Sequence, residues 1–593
     1  TTDPSEFRRL ARRARQLSSA GSRPECARAI KLAILGRSTL EILAPQLSLA
    51  LLSRGVWSDL HIAPYGSFMQ ELIDADSATR AFRPDFALIV LTPHDVPEWP
   101  SAVATAEEAD ALADRVAHHL LGACDQLHSR CGTEVLIDNF HALPVRSLGN
   151  VGVRIPGDPD NFLRRLNVKL GDLVPRGVHI LDTAALAARH GINRWHDSRD
   201  WYESKQPMSP DVTLEYVQTV AAVIAGALGA NRKCLVLDLD DTLWGGVIGD
   251  AGLGGIELGE GNARGEAFKA FQQYLRALRD RGILLAVCSK NALANARLPF
   301  EQHPETVLRL HDFAAFRASW DPKADEIRAI AEELDLGLDA FVFVDDNPAE
   351  RELIRQVLPE VVVIDLPADP SEYPQAIESS RWFEVARVTE DDRARARQYQ
   401  GRAEARALAS TMDLSQFLAS LEMRAHVEPI NERSIARAIQ LINKTNQFNL
   451  TTRRLTEGAV RLLAADPDAC ALTVRLSDRF GDHGLISVVI AMRHDDVVEI
   501  DDWLMSCRVL KRGVERLLLG ALGEWAIARG ACELRGRFIP TGKNELVRRM
   551  FDELGFERVR QSECEVLYRL PLAGFEPPPH YIAIEKGGEV AFG

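Results

Sequence analysis

Residues 233–246 read KCLVLDLDDTLWGG, an apolar run that leads straight into Asp238, Leu239, Asp240, Asp241 and Thr242. A short continuous apolar run closed by turn residues is the pattern of a strand buried on both faces, as in a parallel sheet. Acids at the carboxyl end of such a strand stand where ligands bind in open α/β sheets, and side chains at i and i+2 share one side. Asp238 and Asp240 can therefore act together. Taken alone, the cluster reads equally well as a polar strand-to-loop turn.

The same punctuation recurs downstream. Ser289, Lys290 and Asn291 follow ILLAVC, Lys323 opens a helical run in WDPKADEI, and Asp345 with Asp346 follows AFVFV. With helical patterns over 264–281 and 323–336, these strands predict an α/β domain with a parallel sheet over 229–370. About fifty residues separate Asp238 from Ser289 and about twenty separate Lys323 from Asp345, too few for a large lid domain, so an open site is expected. The Gly-rich stretch WGGVIGDAGLGGIELGEG (244–261) is at most a small flap, or else a loop that touches no substrate.

Toward the N-terminus, KLAILG (31–36), FALIVLT (86–92), TEVLIDNF and VHILDT alternate with helical patterns such as 39–54. They predict a second α/β domain over 31–228, behind an arm of residues 1–30. Residues 371–424 are charged and lack a clear apolar stripe, so they are expected to be a helical linker. From 425 to 572 the pattern is α+β, with helices near 431–443, 511–528 and 544–553 and strands in ALTVRLSD, LISVVIAMR, VVEIDDWLM and ACELRGRF. Residues 573–593 form a tail with three consecutive prolines, Pro577 to Pro579.

A chain of 593 residues is too long for one hydrophobic core and should divide into about three to four domains. Apolar residues at 46% and charged residues at 26% are ordinary for folded globular chains. A net charge of −15 argues against a general nucleic-acid or membrane-surface binder, which needs a basic face. Nine cysteines are scattered singly, without CxxC pairs, which fits a reducing cytoplasm. Neither a signal peptide after Arg8, Arg9, Arg12, Arg13 and Arg15 nor an apolar stretch of about 18 residues is present, so no export or membrane span is expected.

The order DxDxT, Ser, Lys, then DD resembles the haloacid dehalogenase-like (HAD) superfamily, and its wording resembles the FkbH-like branch. That resemblance implies a phosphatase in which Asp238 is the nucleophile. A carboxylate can take a phosphoryl group covalently, and a second one, Asp240, can protonate the leaving oxygen and then activate water. Mg²⁺ and the Lys323 ammonium would offset the repulsion between carboxylate and phosphate, with Asp238, Asp240, Asp345 and Asp346 as the expected metal ligands. Ser289 would donate to a phosphate oxygen, or cap the helix that follows, and Thr242 and Asn291 are candidate substrate contacts.

Further along, Cys507 stands at the end of an apolar strand before Arg508, Arg512 and Arg516. Positive groups and a helix N-terminus favour a thiolate, while a lone cysteine is otherwise a small buried hydrophobe. With NELVRRMFDELGF, this region resembles a GNAT-like acyltransferase, in which a strand-to-helix turn grips coenzyme A phosphates. The turn departs from that family by carrying Lys511 in place of the first Gly, so Arg508 and Arg512 are the expected phosphate-binding side chains. NKTNQFNLTTRR (443–454) and DRFGDHGLIS (478–487) also resemble FkbH-like signatures. Asn446 and Asn449 are candidate substrate contacts there, with plain turns as the alternative. The N-terminal domain resembles an SGNH hydrolase-like region, but Gly36, Arg37 and Ser38 stand where that family has Gly-Asp-Ser. The sequence does not bring His196 to Ser38, and a docking or structural role is expected.

The FkbH-like resemblance as a whole implies a glyceryltransferase and phosphatase that takes 1,3-bisphosphoglycerate and loads a glyceryl thioester on the phosphopantetheine arm of an acyl carrier protein, for polyketide biosynthesis. The alternative is a simple Mg²⁺-dependent phosphatase acting on a soluble or carrier-bound phosphoester, and a third reading is an assembly scaffold.

Overall fold

The computed structural model describes residues 5–11, 28–386, 414–444, 448–451, 453, 455–479, 481–506, 509, 512–541, 544–562 and 565–585. They divide into two compact units: Thr1–Gly226 with Thr456–Leu462, and Ala227–Leu455 with Leu463–Gly593.

The first unit is built on a parallel sheet ordered β2-β1-β3-β4-β5, from β1 (Arg28–Gly36), β2 (Val56–Ile62), β3 (Phe86–Val90), β4 (Glu134–Asp138) and β5 (Val178–Leu181). Strands β3 and β4 are buried at every position, which is why they read as unbroken apolar runs. The long helix Ala106–Cys131 covers one face. It starts at a capping box between Thr105 and Glu108 and stops at Gly132, whose φ of 70° is the left-handed conformation a helix end favours.

The second unit holds two sheets. One is parallel, ordered β10-β9-β6-β7-β8, from β6 (Cys234–Leu237), β7 (Leu284–Lys290), β8 (Phe313–Ser319), β9 (Phe341–Asp345) and β10 (Val362–Asp365). The other is mixed, ordered β16-β17-β15-β14-β13-β12-β11-β18. Its strands are β11 (Arg424–Pro429), β12 (Ala469–Asp478), β13 (Gly481–His494), β14 (Val497–Met505), β15 (Glu533–Phe538), β16 (Glu557–Gln561), β17 (Val566–Pro571) and β18 (Ala583–Ile584). Most neighbours run antiparallel, but β14 and β15 run parallel, with the helix Val514–Ala528 as the crossover. The α/β, α/β, α+β reading of the chain is thus the observed one.

Two expected segments are placed differently. A linker was expected over 371–424, yet Tyr373, Ile377 and Phe383 are buried in the core of the β6 sheet. Tyr373 and Ile377 are an i, i+4 pair on the helix Tyr373–Ser380 and Phe383 follows its end, but the charged residues between them hide the pattern; 387–413 lie outside the described residues. The tail expected from 573 instead returns to the mixed sheet, where β18 pairs with β11 and Ile582 joins the core.

Candidate active site

Strand β6 is the middle strand of its sheet, paired to β7 on one side and β9 on the other, so its carboxyl end opens between two neighbours. In register, Leu237 lies opposite both Val287 and Val344, which puts Asp238 level with the ends of β7 and β9. Asp238 follows β6, Asp345 closes β9, and Ser289 is the penultimate residue of β7. Lys323 arrives from the loop after β8 as the first residue of the helix Lys323–Leu334.

These groups converge. The Lys323 ammonium lies 3.0 Å from Asp238 Oδ1 and 2.5 Å from Asp345 Oδ2, and Lys323 and both acids are buried. Burial alone would strip the ammonium of its proton, but the Asp238 and Asp345 carboxylates overcome it and hold Lys323 above its usual range. One oxygen from each of Asp238, Asp345 and Asp346 lies within 4.8 Å of the others. Burial, followed by the Asp238 charge, pushes Asp345 upward and Asp346 up to about 6. Three oxygen-only donors whose charges oppose one another suit a hard divalent cation.

Asp240 was expected among the metal ligands, but its side chain is committed elsewhere. Its Oδ1 accepts from the Trp244 indole at 2.9 Å and from the Ile248 amide at 3.1 Å, and its Oδ2 accepts from Asn291 at 3.0 Å. Burial pushes its pKa upward, which favours retention of a proton. Asn291, expected at the substrate, thus donates to Asp240 and is placed to act through it. Thr242 is fully buried and its hydroxyl accepts from the Asp346 amide at 3.3 Å, so it fixes the second acid loop rather than facing a substrate. Ser289 is buried at the strand end, and the helix it could have capped starts instead after Ala292, which makes no side-chain cap.

The Gly-rich stretch forms a small closed flap. Gly245 and Glu257 exchange backbone hydrogen bonds of 3.0 and 2.9 Å, and Trp244 and Ile248 carry the flap's hold on Asp240. Asp241, at φ 52°, accepts from the Gly246 amide and from Arg264 and receives the Tyr373 hydroxyl on its carbonyl. Sequence reasoning missed Trp244, Arg264 and Tyr373; the Trp four residues after Asp240 was the available signal for the first.

In the mixed sheet, Arg512 is buried against Asp478 at 2.5 Å, and His483 lies 2.7 Å from the same carboxylate, so the Arg512 charge is already answered within the protein. Asn449 is fully buried, its Oδ1 accepts from the Thr451 amide, and its carbonyl accepts from Asn544. It also forms an antiparallel bridge to Leu504 of β14. Cys507, Arg508 and Asn446 lie outside the described residues.

Residues 31–225 match the family described as FkbH, N-terminal domain. Among solved structures, the chain is similar to the N-terminal part of the protein BF1531 from Bacteroides fragilis, which contains a phosphatase domain and is complexed with Mg. Identity is 31% and the TM-score 0.58, over 65% of this chain and 99% of that one. The chain belongs to the FkbH-like family. Its β6 sheet is accordingly the HAD-type phosphatase domain of an FkbH-like enzyme. The ribosomal-protein-S18-alanine N-acetyltransferase from Escherichia coli aligns with 25% of the FkbH-like chain and 94% of its own length, at 13% identity and a TM-score of 0.20, and no activity follows from that likeness. Among curated proteins none matches. Among the described residues, no helix is long and apolar enough to cross a membrane.

Proposed function

We propose that this FkbH-like enzyme is a glyceryltransferase and phosphatase that takes 1,3-bisphosphoglycerate and loads a glyceryl unit, as a thioester, on the phosphopantetheine arm of an acyl carrier protein for polyketide assembly in the cytoplasm. The observation that carries the phosphatase half is the convergence of Asp238, Asp345, Asp346 and Lys323 at the centre of one parallel sheet. An Asp238 oxygen attacks phosphorus, the phosphorus–oxygen ester bond breaks, and Asp240 gives its proton to the departing alkoxide. Asp240, now a carboxylate, takes a proton from water as that water attacks the aspartyl-phosphate, which releases inorganic phosphate and restores Asp238. Its three donors, Trp244, Ile248 and Asn291, keep it aimed through both steps. Lys323 holds Asp238 and Asp345 in place and offsets their charge. Mg²⁺, which the BF1531 fragment holds, suits the oxygen-only set of Asp238, Asp345 and Asp346, and when bound would offset the charge of the phosphoryl group.

For the acyl half, the Cys507 thiolate would attack the carbonyl carbon of the acyl phosphate and expel inorganic phosphate; the carrier thiol would then displace Cys507. This half rests on the sequence pattern around Cys507. The test is intact-protein mass spectrometry of a phosphopantetheinylated carrier incubated with enzyme, Mg²⁺ and 1,3-bisphosphoglycerate, beside Asp238→Asn. A glyceryl increment that becomes a phosphoglyceryl increment in Asp238→Asn is expected. Phosphate release without any carrier increment would reduce the function to a simple phosphatase.

A further inference from the structure

The first unit carries a group of buried polar side chains that phosphatase chemistry does not use. They gather at the carboxyl ends of β1, β3 and β4, the edge of a parallel sheet where ligands bind. Ser38 lies two residues past β1, His94 and Asp95 lie past β3, His141 lies past β4, and His196 precedes the helix Ser198–Ser204. The rings of His94 and His141 stand 5.9 and 6.0 Å from that of His196. His94 also stacks on Trp201 at 4.0 Å. Ser38 is fixed beside them because Arg37 donates to the His94 carbonyl and the Thr39 amide donates to the Lys205 carbonyl.

Four of these groups are buried with an atom that has no hydrogen-bond partner in the protein: Ser38 Oγ, Asp95 Oδ1, His141 Nε2 and His196 Nδ1. Ser38, Asp95, His141 and His196 are only 3%, 6%, 1% and 7% exposed. Buried polar atoms are rarely left unpaired, so so many at one strand edge point to a ligand. Its chemistry follows from which of them can only accept. His141 Nδ1 lies 2.8 Å from the Ala142 carbonyl, which can only accept, so the ring proton is on Nδ1 and Nε2 is a bare acceptor. Burial keeps all three imidazoles neutral. Asp95 Oδ1 is a second acceptor, since Oδ2 already receives the Thr92 amide and hydroxyl. The site therefore asks for hydrogens. An ammonium could supply them, but Arg37 and Lys205 already bring positive charge to His94 and would repel it. Uncharged donors remain, and of these a hydroxyl can also accept in turn from the unpartnered Ser38 Oγ.

We propose that Ser38, Asp95, His141 and His196 form a second ligand site, which takes a small polyhydroxylated molecule, uncharged or bearing one carboxylate, whose hydroxyls donate to His141 Nε2 and Asp95 Oδ1. The site stands apart from the phosphatase reading and does not depend on it. Isothermal titration calorimetry of the full chain tests it, with glycerol as the uncharged probe and D-glycerate as the anionic one. Ser38→Ala and Asp95→Asn are the informative variants; the second keeps the shape but replaces an acceptor with a donor. Asp238→Asn is the control for binding at the phosphatase centre. One equivalent of either probe should bind, with the dissociation constant raised tenfold or more by Ser38→Ala and by Asp95→Asn, and unchanged by Asp238→Asn. Saturable heat from neither probe at millimolar concentration would overturn the proposal. So would binding indifferent to both Ser38→Ala and Asp95→Asn in variants whose circular dichroism matches the wild type, or binding lost in Asp238→Asn.

Discussion

Lys323 illustrates how a catalytic charge also holds a fold together. One buried ammonium answers two buried carboxylates, so Lys323→Ala leaves Asp238 and Asp345 facing each other in a dry site. Removing one partner of such a cluster costs about 3–5 kcal/mol, and phosphatase activity should vanish with it. Chemical denaturation of Lys323→Ala beside Asp238→Asn checks this, because Asp238→Asn relieves repulsion and should unfold no earlier than the wild type. Asn291→Ala has the opposite profile. It removes one donor from Asp240 and should lower kcat by about tenfold with KM and stability little changed; a large rise in KM would return Asn291 to the substrate. His141 gives a pH dependence. Burial lowers it from 6.5 to about 4, so the folded state favours the neutral ring, and this stabilisation is full above pH 6.5 and is lost as pH falls toward 4. The loss is about 3 kcal/mol. Asp138, pushed up to about 7 by burial, acts in the opposite sense over the same range. The measurement is therefore the stability difference between wild type and His141→Phe, which should shift against the wild type as the pH drops.

Among the elements, the strand ends of β6, β7 and β9 were legible because each strand is a short apolar run that stops at a polar residue, and a parallel sheet lines such stops up. What each side chain then touches was not. The partners of Asp240 come from a flap and from the end of β7, residues 244, 248 and 291, and no local pattern in the sequence joins them. Thr242 and Asn449 read as polar contacts but are buried hydrogen-bonding residues, a distinction set by packing and not by residue type. Close packing also gives a prediction. The first turn of the helix Glu457–Ala465 lies on the left-handed Gly132 so tightly that a Cβ on Gly458 would stand 1.9 Å from Gly132 Cα. Gly458→Ala should destabilise the first unit by about 1–3 kcal/mol, visible as a lowered thermal transition with phosphatase kcat unchanged at low temperature.

The molecule as a whole combines an FkbH-like N-terminal unit, a phosphatase sheet and a mixed sheet in one chain. Its three-part composition was legible from the change in hydrophobic period along the sequence. The sites of closure were not: Tyr373 and Ile377 bury an i, i+4 pair among charged residues, and β18 is too short to announce itself. The core of the β6 sheet closes with Phe383, so a piece ending just beyond it should keep phosphate release from a small phosphoester and lose carrier loading. Phosphate assays and carrier mass spectrometry on that piece check both parts. EDTA should abolish phosphate release by the full chain and Mg²⁺ should restore it. Whether Asp238 carries the phosphoryl group is tested by rapid acid quench with a phosphoester labelled in its phosphate, followed by mapping of the label. Label should appear on the 233–246 segment, stable to acid, released by hydroxylamine and absent in Asp238→Asn. Label elsewhere, or phosphate release that persists in Asp238→Asn, would contradict that role.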